Sequence, residues 1–532
     1  MNSSDVRIVR LNPVTGNGSF TGGGGSYWDS AGVLQTAPPN TLRMSYDPSD
    51  LSKAPYAVVE PATTNYAQNN TMAGAVAGTP GTWPTGWSGA TTVNGVSRSI
   101  VAVGVEDGIP YIDIGFTGTA TGNAGFYPNI ASAAAIAGQN WQIGAFTQLI
   151  SGSRPSTLGL VISGRRSDGG AAEDGPATTL PEGGRLRDAF IVSDRTFTSA
   201  DTVSALSFLS IGFNAGTIAD CVVRIGLPQM CRDWVSKFPI KTTNGIVTRP
   251  ADAVGPGAGL VYSNVAITEP LWVAGTYALG VRVRDSLNFV FESQAAGNTA
   301  PLTDKTKWLP LGMTNLWRAF DKTVNTQTSA PGLLVLAIKP GTVVNTLKLL
   351  NMEGSSVTVS QSESGYVRNR NLVRHEVDNW FDFYYEEPIR AGDAVFDDIP
   401  PYPNAMLAVA VHNGPLDAKI GACLPGKSIV IGKATSSFKA GVLSYSTSTT
   451  DTFGSITMVK RYNAPRMNFD VMVPAGSEDQ VFRILREYTD VEIGIIVGDR
   501  FAMGIGYGFL GQWDVAKAGS GRTSPIEFKG LV

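Results

Sequence analysis

Histidine is almost missing from this chain, with 2 among 532 residues, and cysteine is scarce at 3. Charged residues make up only 16%. Each scarcity closes a class of function. The histidines are His375, in RHEVD, and His412, in VAVHNG. A Ser-His-Asp arrangement has to use one of them, and neither stands beside a nucleophile-elbow pattern. His375-Glu376 lacks the second histidine of a zinc-protease helix. Cys221, Cys231 and Cys423 are an odd number in no metal spacing, so buried free thiols are expected, compatible with assembly in a reducing cytoplasm. No block of Lys and Arg occurs and the net charge is −3, so the electrostatic footprint of nucleic-acid binding is missing. No run of about 18 apolar residues is present, so no membrane insertion is expected. The opening MNSSDVRIVRLNPVTG has no apolar core of a signal peptide, which predicts release by lysis or on a particle. Gly255 to Gly259 lacks the strand-to-helix context of a phosphate loop and reads as a linker. Neither cofactor nor metal is expected.

What the chain does have is glycine, 61, proline, 31, and 43% apolar residues. Thr, Ser, Asn and Gly separate short apolar runs, the punctuation of many short strands and tight turns. The fold class read from this is mainly β: tandem antiparallel β-sandwiches, jelly-roll-like, with a small three-stranded module and one C-terminal α-helix. Five segments follow. Residues 1–45 are a glycine-rich N-terminal docking arm, with Tyr27 and Trp28 to anchor it. Residues 46–254 are a first sandwich, 255–312 the small module, 313–430 a second sandwich, and 431–532 a C-terminal β unit.

Strand alternation is clear in Tyr111-Ile112-Asp113-Ile114, in Trp141 to Phe146 and in Cys221 to Ile225. Segment 164–188 is a long polar excursion between strands, of a length that is often functional. In the last unit Ser477 and Gln480 predict a capping box, followed by Val481, Ile484, Leu485 and Tyr488 at helical spacing. Asp378 to Glu387 sets five aromatics between acids, fit for an interface or for an edge strand. Four carboxylate pairs are adjacent: Glu106-Asp107, Glu173-Asp174, Glu386-Glu387 and Asp397-Asp398. Neighbours on a strand point to opposite faces, so adjacency does not make a catalytic pair.

Candidate binding residues are aromatics and amides in charge-poor stretches. A sugar ring offers an apolar face to an aromatic and hydroxyls to amide groups. Trp83 and Trp87 flank a Pro-Thr-Gly turn, with Asn94 and Asn123 in nearby turn-rich sequence. Trp272 and Tyr277 are aromatics of the small module, whose resemblance to chitin-binding-type modules implies a glycan-stacking part for them. The competing reading for each is core packing, which so small a module needs from its aromatics.

Four motifs carry a resemblance. YDP at Tyr46–Pro48 precedes VVEPATTNY, Val58–Tyr66; RIGLPQM, Arg224–Met230, precedes GIVTRPADAV, Gly245–Val254. In that order they resemble the frame of a carbohydrate-binding-module-like jelly roll found in tail fibres and spikes of tailed bacteriophages. Cys231-Arg232-Asp233 stands where the acidic residue after the Pro-Gln triplet is common. The order Trp272, Tyr277, Val281, Phe291, Trp308 resembles small chitin-binding-type modules. WLPLGMTNLWRAFDKTVNTQTSAP, Trp308–Pro331, resembles a segment of large tailed-phage virion proteins. The resemblance implies a structural virion protein without enzymatic activity, located in the virion after assembly in the host cytoplasm. Its implied partners are other tail or head proteins, host-surface glycan and further copies of itself, a trimer favoured. The alternatives are a ligand-free adaptor and a polysaccharide depolymerase. The latter usually needs a β-helix repeat, absent here.

Overall fold

The computed structural model describes residues 5–531 apart from 177, 256, 375–379, 381–383, 385–388, 404, 436, 462, 499–501 and 516–522. It is mainly β, with antiparallel pairing throughout the named sheets. The chain divides into two compact units. One holds 1–19, 52–56 and 254–532; the other holds 20–51 and 57–253. His375 and most of the aromatic stretch 378–387 lie outside the described residues.

The unit of residues 20–51 and 57–253 is a two-sheet sandwich. One sheet runs in the order Phe190–Thr196, Asn140–Gly152, Ile218–Arg232, Ile109–Thr119, Val96–Glu106. The other runs Glu173–Asp174, Thr157–Arg166, Thr202–Phe213, Ala124–Ala134, Ser88–Thr92. Alternate residues such as Ile112, Ile114, Phe116, Ile143, Leu160, Leu209 and Ile211 meet in one core between them, which is what a period of two dictates for a half-buried strand. Each such side chain contributes about 1.5–3 kcal/mol on leaving water. Cys221 and Cys231 are buried free thiols as expected, and burial pushes both up to about 12.

The motif residues turn out to be the clasp of this sandwich. Glu60 and Asp252 face Arg43 and Arg249, all four buried. Arg43 reaches Glu60 at 2.7 Å and Asp252 at 2.6 Å. Arg249 pairs with Glu60 and donates to Pro61 O at 3.0 Å. Backbone bonds between residues 60 and 252 run both ways, Asp252 N to Glu60 O at 3.0 Å and Glu60 N to the Asp252 carboxylate at 3.0 Å. Two cations against two anions leave the cluster neutral, the condition under which buried charge is tolerated.

The expected docking arm of residues 1–45 is corrected here. Residues 20–51 belong to the sandwich unit, where Trp28 packs edge-on against Phe146 at 6.0 Å. Residues 5–11 are a central strand of the other unit. DVRIVRL alternates: Val6 and Ile8 enter one core, while Val9 packs on the opposite face with Val395 and Ile496. A strand with two apolar faces belongs inside a sheet, not on a tether.

That strand helps to close a barrel. Asp5–Leu11 pairs with Ala422–Ala434 and Ile493–Val497; the path continues through Ile505–Trp513, Ser524–Gly530 and Asn463–Met472, and returns to Ala422–Ala434 at Lys433 and Ala434. The helix Glu478–Glu487 lays Val481 and Leu485, with Tyr488 beyond it, into the barrel core. Its N-cap is Ser477, but no side-chain capping bond forms, so the expected capping box is absent; Glu478 and Asp479 instead put negative charge in the first turn. A separate five-stranded sheet, Gly259–Ser263, Thr328–Lys339, Leu407–Ile420, Ser356–Gln361, Tyr366–Asn371, shares a core with Leu347, Leu349 and Phe396. The small module is a three-stranded sheet, Arg282–Arg284, Phe289–Ser293, Trp308–Met313. Trp308 is its fully buried centre, and Trp317 nine residues on sits in the core of the adjoining sandwich.

Lys348 is the oddity of this unit. It lies on the strand Thr346–Leu350, fully buried, with Leu347 and Leu349 facing the other way into the core. Its ammonium donates to Ile495 O at 3.0 Å and to Gly506 O. Gly494 leaves room for its stem: a Cβ there would stand 2.9 Å from Lys348 Cδ. Burial pushes the amine down to about 7, with the Asp393 carboxylate opposing. Between about pH 7 and 8.5 the unfolded lysine stays protonated while the folded one loses its proton, so stability rises with pH across that window, by at most ~1.4 kcal/mol per unit. Above it the buried cysteines, raised to about 12, act in the opposite sense. Urea unfolding at closely spaced pH values is expected to show the rise in the native chain and its loss in Lys348→Met. The clasp gives a second expectation: Glu60→Ala leaves Arg249 without a carboxylate and Arg43 with Asp252 alone, and costs about 3–5 kcal/mol, read as a shift of the denaturant midpoint.

Candidate functional site

Trp83 and Trp87 are both taken up by packing. Trp87 is 8% exposed, part of the sandwich core, and its indole N–H donates to Asn69 O at 2.8 Å. Trp83 is half-buried against that core. One of its faces carries the Arg98 guanidinium at 4.1 Å, and Trp87 lies beside it with ring centroids 6.4 Å apart. A Trp-Pro-Thr-Gly-Trp turn plugs the sandwich because the cross-strand floor it covers, including Ile100, is apolar. Asn94 and Asn123 are exposed but committed to loop closure: Asn94 Nδ2 donates to Asn123 O at 2.8 Å, and Asn123 Oδ1 accepts from Ala215 N at 3.2 Å. In the small module Tyr277 stands edge-on to Trp308 at 5.3 Å and donates to Val273 O at 2.6 Å. Trp272 is half-buried with its N–H enclosed and without a protein acceptor. The six candidates thus fall into three separate places, each engaged in holding its own turn.

The adjacent carboxylates split in the same way. Glu106 and Asp113 both hold Arg224, Asp113 through two bonds of 2.7 and 2.8 Å; the Asp113 carboxylate in turn raises the guanidinium's proton affinity. Arg224 also covers the ring of Tyr111 at 3.6 Å. Glu173, in the long polar excursion, accepts from Thr198 N at 2.8 Å and Ser199 N at 2.7 Å. Those backbone donors, with the hydroxyls of Thr198 and Thr202, hold it down at about 2. Asp397 pairs with Arg7, and Asp398 with Tyr366 and Arg368. Glu386 and Glu387 lie outside the described residues.

A different group has the makings of a site. On the outer face of the second sheet of the sandwich, Tyr127 is 39% exposed. Its ring lies over Gly125, where a Cβ would fall 2.6 Å from the phenol oxygen. Phe208 meets it edge-on at 5.9 Å. Asn129, on the same face by strand parity, keeps a buried Oδ1 without a protein donor. The strands Ala124–Ala134, Thr202–Phe213 and Ser88–Thr92 contain no charged residue, and Thr157–Arg166 has only Arg165 and Arg166 at its end. An aromatic ring on a glycine floor, an amide oxygen awaiting a donor and no charge suit a neutral polyhydroxylated ligand. Sequence reading passed over Tyr127. The signal was there in Gly125-Phe126-Tyr127-Pro128-Asn129: in a strand, Gly125 shares the face of Tyr127 while Phe126 enters the core.

Cavities among the described residues of the other unit include two of moderate size. One of about 410 Å³ has Trp513, Asn468, Arg466 and Glu527 in its wall, and one of about 500 Å³ has Phe320, Lys322, Glu492, Tyr507 and Phe509. In the latter Lys322 pairs with Glu492 at 2.9 Å and Tyr507 donates to the same carboxylate.

No protein family matches the chain, and no curated protein matches it. Among solved structures it is similar to the CBM22-1 xylan-binding domain of Paenibacillus barcinonensis Xyn10C, at 12% identity over 32% of this chain and 94% of that one, with a TM-score of 0.19. The tandem CBM22-1–CBM22-2 domain of the same protein gives 10% identity, 67% and 97% coverage and a TM-score of 0.20. Allantoicase from Saccharomyces cerevisiae gives 9%, 68%, 92% and 0.13. Values this low carry no argument about ligand or activity.

Packing and platform are separable by substitution. Trp87→Ala is expected to cost about 3–5 kcal/mol, whereas Tyr127→Ala costs no more than about 1 kcal/mol. Denaturant unfolding of the two variants side by side checks the assignment, and equal losses would refute it.

Proposed function

We propose that the chain is a structural component of a tailed-phage particle, of tail fibre, spike or tail-tip kind, whose sandwich contacts host-surface glycans through the face of Tyr127. The observation that carries the glycan part is the uncharged outer face on which Tyr127, Phe208 and the undonated Asn129 Oδ1 come together. The particle part rests on the order of the resembling motifs along the sequence. In this reading a pyranose stacks its apolar face on Tyr127, with its hydroxyls toward the part-exposed Asn129 side chain. One stacked ring contributes on the order of 1 kcal/mol, so single sites are weak and act through repeated copies on one particle.

The chain is proposed to bind without turnover. Glu106, Asp113, Glu173, Asp397 and Asp398 are each engaged by arginines, tyrosine or backbone N–H groups, which supports a structural use for these carboxylates. A ligand-free adaptor is the second reading. It is favoured by one observation: motif residues Glu60, Asn65, Gln229, Arg249 and Asp252 are all buried and serve the clasp and the strands beside it.

The two readings part on binding. Against a panel of immobilised bacterial surface polysaccharides, the full chain is expected to retain on at least one, with retention lost in Tyr127→Ala and Asn129→Ala and kept in Trp83→Ala. No new reducing ends should appear on incubation. A panel without any retention favours the adaptor, and turnover removed by a single Asp or Glu substitution would overturn the non-enzymatic reading.

A further inference from the structure

After the strand Ala422–Ala434 the chain runs out along a two-stranded ribbon. Lys439–Ser444 pairs with Asn463–Met472, from Lys439 opposite Asn468 to Ser444 opposite Asn463. Beyond it Thr447–Thr450 pairs with Ile456–Val459. The tip is built, not loose: the Asp451 carboxylate accepts from Phe453 N and Ser455 N at 2.8 Å each, and Gly454 N closes the turn on Asp451 O at 3.1 Å. Yet every residue of the two distal strands is exposed. Val442 is 68% exposed, Tyr445 52%, Phe453 93%, Ile456 70%, Met458 68% and Val459 51%. A two-stranded ribbon wet on both faces is marginal by itself, and soluble surfaces seldom carry such continuous apolar area uncovered.

We propose that this ribbon, residues 439–459, is a self-association surface seated on the same ribbon of a second copy of the chain. Charge argues for a like partner. Lys439, Lys460 and Arg461 stand at the base of the ribbon, and between them its apolar positions carry one charged side chain, Asp451, so those positions match an uncharged surface. Val, Ile, Met and Phe against their own kind, with Ser and Thr hydroxyls that both donate and accept, form a self-complementary surface. Backbone argues the same way: Lys439–Ser444 ends its sheet, with Asn463–Met472 as its strand neighbour. Its outer row of N–H and C=O groups is met by an identical antiparallel strand. Area is adequate. Six apolar side chains covering roughly 100 Å² each give ~600 Å² per copy, and backbone pairing adds to it, against about 800 Å² per partner in a standard interface.

The inference does not rest on the glycan reading, since the ribbon and the Tyr127 face lie in different units. Sedimentation equilibrium of the full chain is the test. The expected mass is an integral multiple, two or more, of 56.1 kDa. The triple variant Phe453→Ser, Ile456→Thr, Met458→Thr is expected to fall to the single-chain mass with unchanged circular dichroism. The control triple Leu271→Ser, Leu279→Ser, Leu287→Ser, which removes exposed apolar groups of the small module, keeps the multiple. A native chain at single-chain mass overturns the proposal. So does a ribbon variant that keeps the multiple, or a control that loses it. Should the ribbon variant fail to fold, hydrogen exchange of the native chain decides: amides of 440–459 slow at high concentration and quicken on dilution, and an exchange rate independent of concentration overturns the idea.

Discussion

Four buried charges hold the first sandwich shut. Arg43 comes from the segment before the sandwich, Glu60 from its entry, Arg249 and Asp252 from its exit. A sandwich built from Ser88 to Arg232 has a hydrophobic reason to exist but none to fix where its leading and trailing segments go. The clasp supplies that. Arg43 meets both acids and Glu60 meets both cations, while Arg249 adds Pro61 O and Asp252 adds the Glu60 N–H, so each buried charge has its partner only when the segments arrive together. The entry and exit strands Thr63–Asn65 and Val247–Arg249 then pair, and Asn65 completes the join by accepting from Met230 N at 3.1 Å. The specificity lies in the coupling, which runs from Asp252 through Arg43 and Glu60 to Arg249.

A parallel constraint governs the barrel unit. Its sheet closes only with Asp5–Leu11, a strand separated in sequence by more than four hundred residues from its neighbours Ala422–Ala434 and Ile493–Val497. Closure removes two edges that would otherwise stand open, at the entropic cost of a very long loop, which grows only as the logarithm of its length. The buried Lys348 reads naturally beside this. Its ammonium bridges Ile495 O and Gly506 O on adjacent barrel strands, tying the strand Thr346–Leu350, which pairs with Ala422–Ala434 in the same sheet, to those strands by a side chain as well.

Much of this architecture is legible in sequence. Short alternating runs between Gly, Thr and Asn give the β class, Val481 to Tyr488 gives the helix, and the motif order gives the sandwich frame. Long-range pairing is what escapes. DVRIVRL reads as the start of an arm because its partners lie at the other end of the chain, and alternation names a strand without naming its neighbour. The site failed for a related reason. Trp83 and Trp87 draw attention by residue type, but whether an indole is wall or platform depends on what stands beneath and above it. Here Arg98 and the core fill both places. Tyr127 is the less conspicuous residue with the emptier surroundings.

Low charge explains why the surfaces of this chain must be read by coverage and not by residue type. Proteins guard open sheet edges with lysine, inward charge or bulges, and a chain with 16% charged residues has few such guards. The sandwich places charges inside, in the clasp and around Arg224, and none on the strands Ala124–Ala134 and Thr202–Phe213, whose outer face is mostly Ser, Gly, Ala and aromatic residues. Such faces repel neither water nor a neutral sugar, and the Tyr127 face follows that rule. The ribbon of 439–459 breaks it, placing Phe453, Ile456 and Met458 outward with one aspartate spent on the turn. Hydroxyl-rich sequence would have kept the same hairpin soluble. Apolar residues at the outward positions of a well-formed turn therefore mark a surface shaped for contact, and with its lysines confined to the base of the ribbon the kind of contact is burial against a like surface, strengthened by strand pairing.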